Sequence, residues 1–161
     1  MTEEMDQEAL YHRKFAVDTF NYVWDLLEKP DRTIEEDDSM IHAAHASRFH
    51  WEKIGEPVNL ARGEWQVSRV YCTLNRAKCA LYHARRCLEL CEQFNIGDFD
   101  LAYAYEALAR AYAIDNKFIE YNYYIRMAHL AGEKIAEEED RSHFFKDLST
   151  INPGSPSSSD D

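Results

Sequence analysis

The stretch MIHAAHASRFHW, residues 40–51, carries His42, His45 and His50, three of the chain's seven histidines. Imidazole nitrogens together with a carboxylate are the donors that zinc and iron take. At about 100° per residue, Asp38, His42 and His45 share a narrow arc of a helix, while His50 points roughly 80° away from His42. Neighbouring turns of one helix hold side chains side by side, so a closed site needs a ligand from another helix, for which His83 and His12 are the candidates. The spacing also gives an ordinary Asp38–His42 pair on a helix flank, with Ala43, Ala46 and His50 turned toward the core. No His-Glu-x-x-His motif is present. No metal is therefore expected, and a metal-dependent helical enzyme using Asp38, His42 and His45 stands as the alternative.

Cysteine offers less. Cys72, Cys79, Cys87 and Cys91 are spaced by seven, eight and four residues, without a Cys-x-x-Cys pair, and they read as small, buried apolar side chains in a reducing compartment. Cys87 and Cys91 lie one helical turn apart. There is no glycine-rich phosphate loop and no Gly-x-Ser-x-Gly elbow. The expectation is a protein that is not an enzyme and has no cofactor.

What positions these residues is helical throughout. The 161 residues contain five glycines and four prolines, and 45% are hydrophobic. Breakers are scarce, and the intervals between them are long enough for about six helices. The first stops at KPDRT, and the second opens on a capping box, Thr33 with Glu36, and ends at Gly55. The third starts from Asn59 as N-cap, the fourth runs from about Arg76 to Asn95 and Gly97, and the fifth starts after Asp100 as N-cap. The sixth covers residues 118–140 and contains Gly132, which weakens a helix by about 1 kcal/mol relative to alanine. EEDD and EEED, residues 35–38 and 137–140, read as solvated helix faces. One domain over residues 1–148 is expected, with hairpins at about 5–55, 59–95 and 100–140. Residues 149–161, rich in Ser, Pro and acid, read as a disordered tail.

The second and third hairpins repeat at an offset of 41 residues: Asn59 falls on Asp100, Ala61 on Ala102, Arg69 on Arg110, Tyr71 on Tyr112, Asn75 on Asn116 and Arg85 on Arg126. Each hairpin has an apolar face that it buries only against a neighbour, so a stack of antiparallel helical hairpins follows. Over residues 59–135 the chain resembles the tetratricopeptide repeat family. Tyr105, Leu108, Ala109, Tyr112 and Ala128 match its pattern, as do Val67, Ser68, Tyr71 and Ala80. Tyr121 and Glu64 depart from it, and the period exceeds the family's 34 residues.

The resemblance implies an all-α superhelix that binds a protein or peptide partner in a concave groove. The family's groove positions fall on Arg62, Trp65 and Arg69 of one hairpin and on Tyr103, Glu106 and Arg110 of the next. Arginine forks suit a carboxylate or phosphate, and Trp65 and Tyr103 suit anchoring contacts. In the competing reading Arg69 pairs with Glu64 or a neighbouring carboxylate, Glu106 pairs with Arg110, and the aromatics fill space between hairpins. The tyrosines, YNYY at 121–124 above all, also suit a dimer surface, and a structural homo-oligomer is a further alternative. A net charge of −12 disfavours nucleic acid, and no apolar run is long enough to span a membrane. A cytoplasmic location is expected.

Overall fold

The computed structural model describes the backbone of residues 2–154 and the side chains of residues 6–154. Seven α-helices follow one another in chain order: α1 (Thr2–Glu28), α2 (Ile34–Ile54), α3 (Pro57–Thr73), α4 (Ala77–Gln93), α5 (Asp98–Ile114), α6 (Phe118–Glu133) and α7 (Glu138–Leu148). The described residues form no strand. Each helix packs on the next, and α1 also meets α3, α3 meets α5, and α5 meets α7. The odd-numbered helices therefore form a layer of their own. Pairing within hairpins is antiparallel: early in α1 His12 meets His50 near the end of α2, and early in α3 Ala61 packs on Cys87 and Cys91 late in α4.

The turns show why the chain folds back where it does. Asn75, Asn95 and Asn116 adopt φ of 58°, 53° and 56°, a left-handed conformation that asparagine tolerates better than most residues. After α3, the Asn75 amide donates to Cys72 and the Arg76 amide to Tyr71. After α5, the Asn116 amide donates to Ala113 and the Lys117 amide to Tyr112. These are the same closing bonds at an offset of 41, and they satisfy carbonyls that the helix ends leave open. Thr33 and Glu36 form the expected capping box.

Two helix starts lie earlier than the sequence suggested. Pro57 occupies the first position of α3, where its missing N–H costs nothing, and Glu56 caps the helix. The Asn59 side chain reaches back to the Glu56 amide as the third residue of a reciprocal box. Helix α5 begins at Asp98 after Gly97, so Asp100 lies in its first turn.

The sixth segment is also not continuous to residue 140. It ends at Glu133, and α7 turns back to bury Phe144 and Leu148 against Tyr103, Ala128 and Ile135. Gly132 makes this return feasible, since a Cβ there would lie 2.4 Å from the Phe144 ring. Beyond α7, Ser149–Ile151 stay hydrogen-bonded to the end of that helix, so the chain does not leave the fold at 148. Residues 155–161 of the expected tail lie outside the described residues.

The centre of the core is α5, where Ala102, Ala104, Ala107, Ala109, Ala111 and Ala113 are buried. Alanine on several faces lets α3, α4, α6 and α7 approach one helix. Cys72, Cys87 and Cys91 are buried as expected, but Cys79 is exposed.

Candidate functional site

Helical spacing builds a wall of rings across the odd-numbered helices. Phe20 and Trp24 stand one turn apart on α1, as do Phe99 and Tyr103 on α5. Trp65 of α3 bridges them, with its centroid 5.5 Å from Trp24 and 5.3 Å from Tyr103. Phe99 and Tyr103 are 4.6 Å apart. These rings line a cleft of about 450 Å³ together with Asp140, His143 and Asp147 of α7, Arg62, Asp100 and Cys87. A hydrogen bond with Cys91, together with burial, holds the Cys87 thiol well above its ordinary range.

Beside the rings lies a buried carboxylate. Glu106 is fully buried and accepts from Trp65 Nε1 at 3.3 Å, Arg69 Nη1 at 3.1 Å and Arg110 Nε at 2.6 Å. Two guanidinium groups and an indole thus compensate a charge that would otherwise be costly to bury. Arg110 continues through Nη2 to the Asp147 carbonyl at 3.1 Å and to Thr150 Oγ1 at 2.9 Å. The Tyr103 hydroxyl donates to Asp147 Oδ2 at 2.7 Å. Burial, reinforced by that carboxylate, drives the phenol far above its ordinary pKa.

All six groove residues expected from the repeat, Arg62, Trp65, Arg69, Tyr103, Glu106 and Arg110, fall in this neighbourhood. Their chemistry differs from the expectation for two of them. Arg69 and Arg110 are both engaged by Glu106, and Arg110 also by Asp147 and Thr150. The pairing is that of the competing reading: Glu106 pairs with Arg110, and Arg69 takes the same neighbouring carboxylate rather than Glu64. Arg62 is half exposed and makes a bidentate pair with Asp100 at 2.7 and 3.1 Å, which raises its pKa. Trp24, Asp140, His143 and Asp147 were missed. Trp24 was visible as part of an aromatic-rich first helix, whereas the α7 residues carried no signal, since their placement depends on a reversal after Gly132.

The histidines form a second cluster where α2, α3 and α4 meet. His45 Nε2 lies 2.9 Å from the Tyr71 hydroxyl, and its ring meets His83 edge-on at 5.3 Å. His83 Nδ1 is 2.6 Å from Glu64 Oε2, and Arg48 Nε donates to Glu64 Oε1 at 3.0 Å. Burial lowers the pKa of His45, helped by the neighbouring His83 charge and opposed by Glu64. For Glu64 burial opposes ionisation, but the bond and charge of His83 and those of Arg48 outweigh it and hold the carboxyl below its usual range. Among the described residues no three His, Cys, Asp or Glu side chains converge as a metal would require. His45 is thus engaged with Tyr71 and His83 rather than grouped with Asp38 and His42. His50, half-buried, turns to His12 at 2.8 Å and not into the core.

Comparison with known proteins finds no matching family model, no similar curated protein and no similar solved structure. Among the described residues no helix is long and apolar enough to cross a membrane.

Proposed function

We propose that this chain is a tetratricopeptide-like interaction module that binds a peptide segment of a partner protein in the cleft between α1, α3, α5 and α7. The observation that carries this reading is the ring wall of Phe20, Trp24, Trp65, Phe99 and Tyr103 lining a cleft of about 450 Å³. Concave, mostly apolar pockets with a few fixed polar groups are where ligands bury most surface, and stiff aromatic rings contribute contact area at little entropic cost. The buried Glu106 network supports the same reading from below. It anchors Trp65 and, through Arg110, the helix that forms the far wall, so the cleft is organised before any ligand arrives.

The superhelical part of the reading rests on three features: hairpins in chain order, a layer of odd-numbered helices, and turns repeated at 41 residues. In this module the partner is a protein, not nucleic acid or a membrane, and no metal or cofactor takes part.

The test is selection of displayed peptides on the full chain, with counter-selection on His143→Trp. His143 lines the cleft with its side chain 65% exposed, so an indole there obstructs the cleft while leaving the core intact. Peptides enriched on the wild type and lost on the folded variant are expected. Enrichment that is equal on both proteins would remove the cleft from consideration.

A further inference from the structure

The charge of the cleft defines which peptides it takes. Its lining contains three aspartates, Asp100, Asp140 and Asp147, against one arginine, Arg62. Arg62 already spends its fork on Asp100. That leaves two further carboxylates in the lining beside the rings. Asp147 has one oxygen, Oδ2, engaged by Tyr103 and 3.6 Å from His143 Nε2. Asp140, exposed in the first turn of α7, has no cationic partner among the described residues.

An anionic group entering here meets three aspartates, and the one arginine of the lining is already paired with Asp100. A cationic one meets two carboxylates and the faces of Trp24 and Trp65, and indole is the aromatic surface that best stabilises a cation. Long cationic side chains also bring an aliphatic stem that can lie along the rings while the head stays near the acids. The molecule's charge of −12 draws such partners in.

Resting on the peptide-binding reading, we infer that the cleft is a receptor for a basic segment, taking one lysine or arginine side chain between the Trp24 and Trp65 rings and the α7 carboxylates. This specificity is opposite in sign to the one that the arginines suggest from sequence. Arg69 and Arg110 hold the floor and the far wall through Glu106, and the groups that meet the ligand are acids.

The experiment uses the full chain, isotope-labelled, with the indole N–H resonances of Trp24 and Trp65 observed by NMR. Three capped peptides, identical except for one central lysine, norleucine or glutamate in a Gly/Ser background, are titrated in turn. The lysine peptide should shift both indoles and bind roughly tenfold more tightly than the norleucine peptide. The glutamate peptide should bind most weakly. Asp140→Asn, which removes one exposed charge outside the core, should weaken only the lysine peptide, by severalfold, with an unchanged circular dichroism spectrum.

Equal affinity for lysine and norleucine would overturn the cationic specificity and leave the cleft as a peptide site. Lysine affinity unaltered by Asp140→Asn would overturn the part assigned to that acid. Indoles unmoved by every peptide would overturn the inference, while the displayed-peptide selection decides independently whether the cleft binds peptides at all.

Discussion

At the scale of single residues, the two buried glutamates define where the molecule is most sensitive. Glu106→Gln keeps the side chain's shape and removes the charge that Arg69 and Arg110 share. Stripping one partner from a buried charge cluster costs about 3–5 kcal/mol. Urea unfolding should register a loss in that range, with an unchanged m-value.

Glu64 and His45 give the α2–α3–α4 junction a two-stage acid response. His45 resists protonation in the folded chain, so stability falls as pH drops through the ordinary imidazole range, near about 6.5. Glu64 acts in the same direction by favouring its charged form: its lowered pKa contributes stability above the usual carboxylate range, which is lost as pH falls through the folded value. Urea midpoints across pH should lose the upper stage in His45→Gln. In Glu64→Gln the lower stage should flatten, with the curve approaching wild type at acid pH.

At the scale of elements, Gly132 is a packing position rather than a weak point. Alanine there gains about 1 kcal/mol of helix propensity, but its Cβ meets the Phe144 ring at 2.4 Å, and overpacking of this kind costs about 1–3 kcal/mol. The expected outcome for Gly132→Ala is a lower melting temperature, with amides of α7 exchanging faster than those of α3.

The same position shows how far the elements were legible. Six helical regions, the Thr33 box and the turns at Asn75, Asn95 and Asn116 could be read, because caps and apolar spacing are local signals. The break after Glu133 could not. Gly132 stands one residue before the break but reads equally as a glycine inside a long helix, KIAEEED after it contains no proline or glycine, and the reversal is driven by Phe144 and Leu148 finding Tyr103, a tertiary event. The start of α3 was misread for a related reason, since Asn59 has the chemistry of an N-cap but serves from inside the helix. For the groove, the family resemblance pointed to six residues, of which Arg62, Trp65 and Tyr103 line the cleft and Arg69, Glu106 and Arg110 form the network beside it. The Glu106–Arg110 pair was legible as an i,i+4 spacing, but that Arg69 would join it, and that acids of α7 would line the same cleft, depends on how separate helices pack.

At the scale of the whole molecule, a charge of −12 acts on encounter more than on the bound state. Association of a basic peptide should slow as salt rises, whereas its dissociation rate should change little. Stopped-flow fluorescence on the full chain separates the two. The layer of odd-numbered helices also has an optical consequence. Trp24 and Trp65 belong to different helices, yet their rings are 5.5 Å apart and inclined by 35°, close enough for their electronic transitions to couple as an exciton pair. The spacing of α1 against α3 is therefore written into the protein's own circular dichroism, as a couplet that needs no label and that either tryptophan's replacement by phenylalanine would erase.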